Sequence, residues 1–304
     1  MKINALDKSA LVEAAVEAVR PTRWWLAMLL SIVVGVIIVG AVVETVYTAL
    51  VPNVSGSLQA QVLELFTNAG TLLALWAWLR FKERRAFSSV GFRGGRAIPK
   101  FLAGIAIGAG MMVLCVAVLL GLGQYQVVPA PAGGASGSVA IVPVLLLALV
   151  WTVQSSTEET VMRGYLLQTS ARQLPGWLAI LVPGVLFSAV HFATEEPLPI
   201  AGLNILIYAL FVSFIALRQG SLWLACGIHT GWNWFQGNVF GLPVSGNAYN
   251  TGVFHLGPKA SSSQWLGGGA FGPENSLVVT AVWGAALLLA YVYFRKAQRT
   301  DARA

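Results

Sequence analysis

Apolar runs of about twenty positions recur along this chain, separated by short polar breaks. A helix needs about twenty apolar residues to cross the hydrocarbon core of a bilayer. Eight segments approach or reach that length: Trp24–Val43, Leu58–Phe81, Phe101–Leu122, Val139–Gln168, Gly176–Phe192, Pro199–Leu217, Ser221–Phe240 and Leu277–Phe294. The breaks carry helix-stopping residues, namely Pro52, the stretch Pro129–Gly137, Pro175 with Gly176, Pro197 and Gly220. The pattern predicts an all-α, polytopic membrane bundle of about eight transmembrane helices. It divides into an N-terminal segment (1–23), a three-helix part (24–138), a core (139–240), a Gly-rich loop (241–276), and a last helix with a basic tail (277–304). No fixed-period repeat and no soluble domain of useful size is found.

Composition agrees: 57% of the 304 residues are hydrophobic and only 10% charged, too little polar surface for a soluble globule of this size. The net charge of +7 raises the question of nucleic acid. Placement of the basic residues answers it. With the N-terminus inside, every Lys and Arg except Lys259 falls on the cytoplasmic side, although Arg163 belongs to a helix and counts for less. Both termini are therefore expected in the cytoplasm and the loop 241–276 outside, and no nucleic-acid partner is implied. The expected setting is a multi-pass position in a membrane such as the bacterial cytoplasmic membrane, with the lipid bilayer as partner and a secondary attraction of the Arg80–Lys100 stretch for anionic headgroups. Met1–Arg23 lacks the apolar core of a removable signal peptide. Cys115 and Cys226 both lie in apolar stretches and read as small packing residues rather than a disulfide framework.

A few polar residues break the apolar pattern. Glu44 and Glu64 can reach the outer interface, but Glu158 and Glu159 cannot. A charge at the bilayer centre costs about 2.5–3.5 kcal/mol on insertion scales, so adjacent carboxylates there need partners, protons, water or a function. Glu159 has a partner in Arg163, four residues on and on the same helical face. Glu158 lies about 100° round the helix, with no cation three or four positions away. Two of the three histidines also fall inside apolar spans. Phe187 and His191 are an i, i+4 pair, as are His229 and Asn233. At about 1.5 Å per residue from the cytoplasmic helix ends, Glu158, His191, His229 and Asn233 lie at depths of about 20, 22, 12 and 18 Å, close enough to share a cavity. Singly, His229 and Asn233 read equally well as interhelical hydrogen-bond glue, and Glu158 as a lipid-buried protonated carboxyl or a proton relay. Together they supply a base, a second proton-handling or metal-binding group, and donors for an oxyanion.

The set Glu158-Glu159-Thr160-Val161-Met162-Arg163 (EExxxR), Phe187-Ser188-Ala189-Val190-His191 (FxxxH) and His229-Thr230-Gly231-Trp232-Asn233 (HxxxN), in this order on separate apolar helices, resembles the CPBP (CaaX protease and bacteriocin-processing, or Abi) family of intramembrane proteases. That family includes the Rce1-type CaaX prenyl endopeptidases. The Arg218–Trp223 turn before the third motif adds to the likeness, which covers about 139–240. The resemblance implies that Glu158 and His191 activate the attacking water and that His229 and Asn233 stabilise the oxyanion. Glu159 and Arg163 would hold the geometry, and Phe187 would pack against His191. It implies a peptide or protein substrate, one with an apolar or lipid-modified end being an option.

The cofactor question stays open at this level. The zincin pattern HExxH is absent, yet Glu158, His191 and His229 match a catalytic zinc site in ligand type, so a metalloprotease using a divalent metal such as zinc is an alternative to a glutamate- and histidine-activated water. A proton-coupled transporter and a non-enzymatic immunity or scaffolding protein are the other functional readings. Lesser features have plainer expectations. Gly104 and Gly108 suit close helix packing, and Asn204 suits an interhelical hydrogen bond. Asn53-Val54-Ser55 is a glycosylation sequon, Asn275 a cap for the last helix, and His255 a solvated loop residue.

Overall fold

A computed structural model describes residue 6 and residues 9–51, 58–191 and 199–301. Pro52, the 53–55 sequon, residue 192 and Pro197 lie outside the described residues. Eight main helices follow in chain order: α1 Trp24–Leu50, α2 Leu58–Glu83, α3 Ala97–Gly121, α4 Gly137–Ala171, α5 Gly176–His191, α6 Pro199–Gln219, α7 Trp223–Trp234 and α8 Leu277–Asp301. Among the described residues, six (α1, α2, α3, α4, α6 and α8) are long and apolar enough to cross a membrane. The chain is an all-α polytopic bundle, as the hydropathy pattern predicts.

The two remaining helices differ from full spans for a physical reason. At 1.5 Å per residue, the 16 described residues of α5 reach about 24 Å, short of a hydrocarbon core of about 30 Å. Helix α7 starts after Gly220, at φ +63°, and continues only through the π-helical turn Phe235–Val239. Hydropathy counts apolar residues and does not register where a hydrogen-bond ladder begins or stops. Both short helices carry motif histidines, and α7 is buried along its whole length from Ala225 to Asn233.

Helices α3 and α7 meet backbone to backbone. A methyl group on Gly104 would stand 2.4 Å from Leu224 O, and one on Gly108 would stand 2.0 Å from Ile228 O. Across the contact, methyls on Gly227 and Gly231 would stand 2.1 Å from Phe101 O and 2.2 Å from Ile105 O. Small residues on both partners thus allow the close approach that drives helix association in lipid. Gly231 lies inside the HxxxN motif, so this contact sets the depth and rotation of His229 and Asn233. Cys115 and Cys226 are buried free thiols.

Near the predicted cytoplasmic side, a buried polar knot ties α2 to α4. Glu83 accepts hydrogen bonds from Arg85 Nε at 2.7 Å, from Tyr165 at 3.3 Å, and from the Thr22 hydroxyl. Arg85 Nη1 donates to Gln168 Oε1 at 2.8 Å, and Gln168 Nε2 donates to Leu11 O and Ser89 O at 2.7 Å each. The N-terminal segment also joins the bundle: Leu11, Val12 and Ala15 are buried, and Ser9 Oγ donates to Leu217 O at 2.6 Å.

The Gly-rich loop 241–276 corrects the expectation that His255 is a solvated loop residue. It folds onto the bundle and pairs its strand β2, Leu256–Pro258, antiparallel with β1, Tyr125–Val127. His255 is buried, at 4% exposure, because Gly241 and Gly252 let backbone crowd its ring. Asn275 Oδ1 accepts from Ala201 N at 3.1 Å, so it caps α6 rather than α8. The N-terminus of α8 is served by Ser276 Oγ, which accepts from Val279 N at 3.3 Å. Asn204 joins the helices as expected, donating to Glu274 O at 2.8 Å and Ser276 O at 3.0 Å while accepting from Thr280 at 2.7 Å.

Candidate active site

Glu158 and Glu159 stand at the end of the α-helical part of α4, where the ladder widens into the π-helical stretch Thr160–Leu166, every residue of which is buried. Such π segments are frequent at functional sites because they rotate side chains out of the regular register. Glu159 is fully buried, and its Oε1 accepts from Arg163 Nη1 at 3.2 Å, the intrahelical pair expected from the spacing. The same oxygen lies 2.9 Å from His229 Nδ1. Glu159 therefore fixes the imidazole of α7 as well as the guanidinium of its own helix, a link between helices that spacing cannot reveal.

Glu158 faces a cavity of about 280 Å³. Its Oε1 accepts from Gln154 Nε2 at 2.5 Å; its Oε2 is buried without a hydrogen-bond partner among the described residues and lies 3.7 Å from His229 Nε2. Gln154 Oε1 in turn accepts from Asn233 Nδ2 at 3.1 Å. Gln154 thus couples the EExxxR and HxxxN motifs. Its position four residues before Glu158 was the signal that could have singled it out.

His191, at the end of α5, lines the same cavity. Its Nδ1 lies 2.6 Å from Phe187 O, and since a carbonyl only accepts, Nδ1 carries the hydrogen of that bond. The Phe187 ring packs on His191 at 4.6 Å between centroids, and the Arg163 guanidinium sits over its other neighbourhood at 4.3 Å from the ring centre. Phe187 therefore contacts both the supporting cation and the imidazole. Tyr208 of α6 packs edge-on to His229 at 5.2 Å.

The cavity brings in residues that the sequence placed elsewhere. Glu64 of α2, expected at the outer interface, lines it, as do Ser245, Tyr249 and Glu274 from the loop 241–276. Tyr249 donates to Glu64 Oε1 at 2.5 Å, and Ser245 donates to Glu274 Oε2 through its N–H at 2.6 Å and its hydroxyl at 3.0 Å. Burial pushes the Glu274 carboxyl above the usual carboxylate range, opposed by these two donors. No local spacing connects α2 or residue 274 with the motifs, so only the closed bundle could show their meeting.

A divalent ion would need at least three converging protein donors. Among the described residues no three His, Cys, Asp or Glu side chains come together as such a group. The hydrogen bonds at His229 Nδ1, His191 Nδ1 and Glu158 Oε1 engage one polar atom of each side chain and orient the other towards the cavity. No metal centre of three converging His, Cys or carboxylate ligands is formed by the described residues.

Neither a curated protein nor a solved structure matches the chain. A family model does: that of type II CAAX prenyl endopeptidases, Rce1-like, over residues 140–235. The matched stretch begins at the head of α4 and ends one residue past α7, and so holds all three motifs. Over residues 140–235 this multi-pass membrane protein is thus similar to the Rce1-like endopeptidases, the family that the EExxxR, FxxxH and HxxxN motifs resemble.

Proposed function

We propose that this protein is an intramembrane endopeptidase in which Glu158 and His191 activate water and His229 and Asn233 stabilise the tetrahedral intermediate. The observation that carries the reading is Glu158 Oε2, buried without a hydrogen-bond partner among the described residues, in a cavity that His191, His229 and Asn233 also line. Water held between Glu158 and the Nε2 lone pair of His191 gives a proton to the carboxylate as its oxygen attacks the peptide carbonyl carbon. The developing oxyanion accepts hydrogen bonds from Nε2–H of His229 and from the Asn233 amide hydrogen not used by Gln154. This role needs a hydrogen on both ring nitrogens of His229, with Nδ1–H given to the Glu159 carboxylate at 2.9 Å. Glu158 then passes its proton to the departing nitrogen and the C–N bond breaks; the second hydrogen of the water is taken up through His191 Nε2 and given to the amine, so that a carboxylate and an ammonium group leave. Substrate is a peptide within or beside the bilayer.

The test is cleavage of membrane-associated peptides by purified, reconstituted protein, read by mass spectrometry in ¹⁸O water. One heavy oxygen should enter the new carboxyl terminus, and Glu158→Gln and His191→Ala should each abolish turnover while melting like the parent. Turnover retained in either variant overturns the assignment. Full activity in strong chelator with no bound metal by elemental analysis is expected; loss of activity reversed by added zinc would replace this mechanism with a metal-dependent one.

A further inference from the structure

Glu64 lies outside every motif, on a helix outside the Rce1-like stretch, yet its side chain lines the cavity. Its Oε1 is held by the Tyr249 hydroxyl, and its Oε2 is buried without a hydrogen-bond partner among the described residues. Glu158 presents a second such oxygen in the same space, and Glu274 supplies a third carboxyl group. None of the described residues lining the cavity is Lys or Arg. The buried cation of this region, Arg163, is already paired with Glu159. Aromatic rings complete the wall near Glu64, where Trp151 meets Tyr249 edge to face at 5.5 Å and 87°.

A carboxylate oxygen withdrawn from water without a donor is costly, and the cost is relieved by a cation that brings its own hydrogens. Ring faces attract the same kind of ligand. We propose that Glu64, fixed in place by Tyr249, is a specificity-determining residue that receives an organic cation of the substrate, a Lys or Arg side chain or a free α-amine. The substrate class is then a peptide with a positive group close to the bond that is cut. This inference rests on the hydrolytic reading for its meaning but concerns binding, which can be measured separately.

The experiment uses full-length protein carrying Glu158→Gln and capped apolar peptides that differ only in one Lys or norleucine, with binding followed by tryptophan fluorescence. The Lys peptide should bind at least about tenfold more tightly, as the loss of one partner from a buried charge pair commonly costs that much or more. The ratio should fall towards one on adding Glu64→Gln, survive in part with Glu64→Asp, and turn in favour of a Glu-containing peptide with Glu64→Lys. An uncapped norleucine peptide that outbinds its capped form, with the advantage lost in Glu64→Gln, supports the site with the α-amine as its ligand. Binding that does not distinguish Lys from norleucine, or a ratio unchanged by Glu64→Gln in protein that melts normally, overturns the proposal. Charge-selective binding without hydrolysis of any peptide by the parent protein would keep the cation site and sink the protease reading, so the two fail separately.

Discussion

Two buried acidic clusters divide this molecule, one around Glu83 and one around Glu158, and they differ in what their oxygens touch. Glu83 is surrounded by donors, from Arg85, Tyr165 and Thr22, and Arg85 is bound onward to Gln168. Glu158 has one oxygen on Gln154 and the other without a hydrogen-bond partner among the described residues, beside a cavity. A satisfied buried network rigidifies a fold, whereas an unsatisfied one keeps bonding capacity for something that arrives. Burial of a carboxylate is thus a poor guide to function, and the state of its hydrogen-bond partners is a better one.

Substitutions can break or sharpen this contrast. The largest expected effect is on the reactive side: Glu158→Gln should lower peptide turnover by about 10²-fold or more, the range for loss of a general base, with little change in melting temperature. The reverse is expected in the knot. Arg85→Ala leaves Glu83 buried without its cation and should cost about 3–5 kcal/mol of stability, measured by denaturant or thermal unfolding in detergent. If Arg85→Ala melts like the parent, the knot is not the structural element its bonding implies. Asn233→Ala should reduce kcat by about 10²–10³-fold while leaving KM within a few-fold, as expected for a donor that acts on the transition state; a change confined to KM would move Asn233 from oxyanion stabilisation to substrate binding.

The smallest effect lies at the surface. Arg93 pairs bidentately with Glu17, one contact being 2.6 Å, and this hydrogen bond, followed by the charge of Arg93, lowers the Glu17 carboxyl below its ordinary range. A depressed carboxylate contributes stability at pH values above its unfolded pKa and loses it as the pH falls through the folded one. Both side chains are more than two-fifths exposed, so the pair should be worth less than about 1 kcal/mol. Glu17→Gln should therefore narrow the gap between neutral and acidic melting temperatures only slightly, and a large shift would show that the N-terminal segment is anchored more through this pair than through buried Leu11 and Val12.

Much of the architecture was legible because membrane insertion reads local composition. Lengths of apolar sequence placed all eight helices, and the i, i+4 rule paired Glu159 with Arg163 and stacked Phe187 below His191. The π-helical continuation of α7 over Phe235–Val239 was not legible, since hydropathy is blind to which backbone hydrogen bonds form. Nor was the fate of the loop 241–276, whose glycines suggested solvent but whose backbone turns bury His255, Asn275 and Glu274 against the helices.

The sequence by itself determined the helical membrane class, the helices that carry the motifs and the residue types available for chemistry, because these depend on contacts within a few positions of one chain. The tertiary structure decided the partners: Glu159 with His229, Gln154 between Glu158 and Asn233, and Glu64 and Glu274 in the same cavity as the motif residues. Those meetings depend on backbone contact between α3 and α7 and on the loop that closes over the bundle, and no spacing along the chain encodes the distance between two helices that pack.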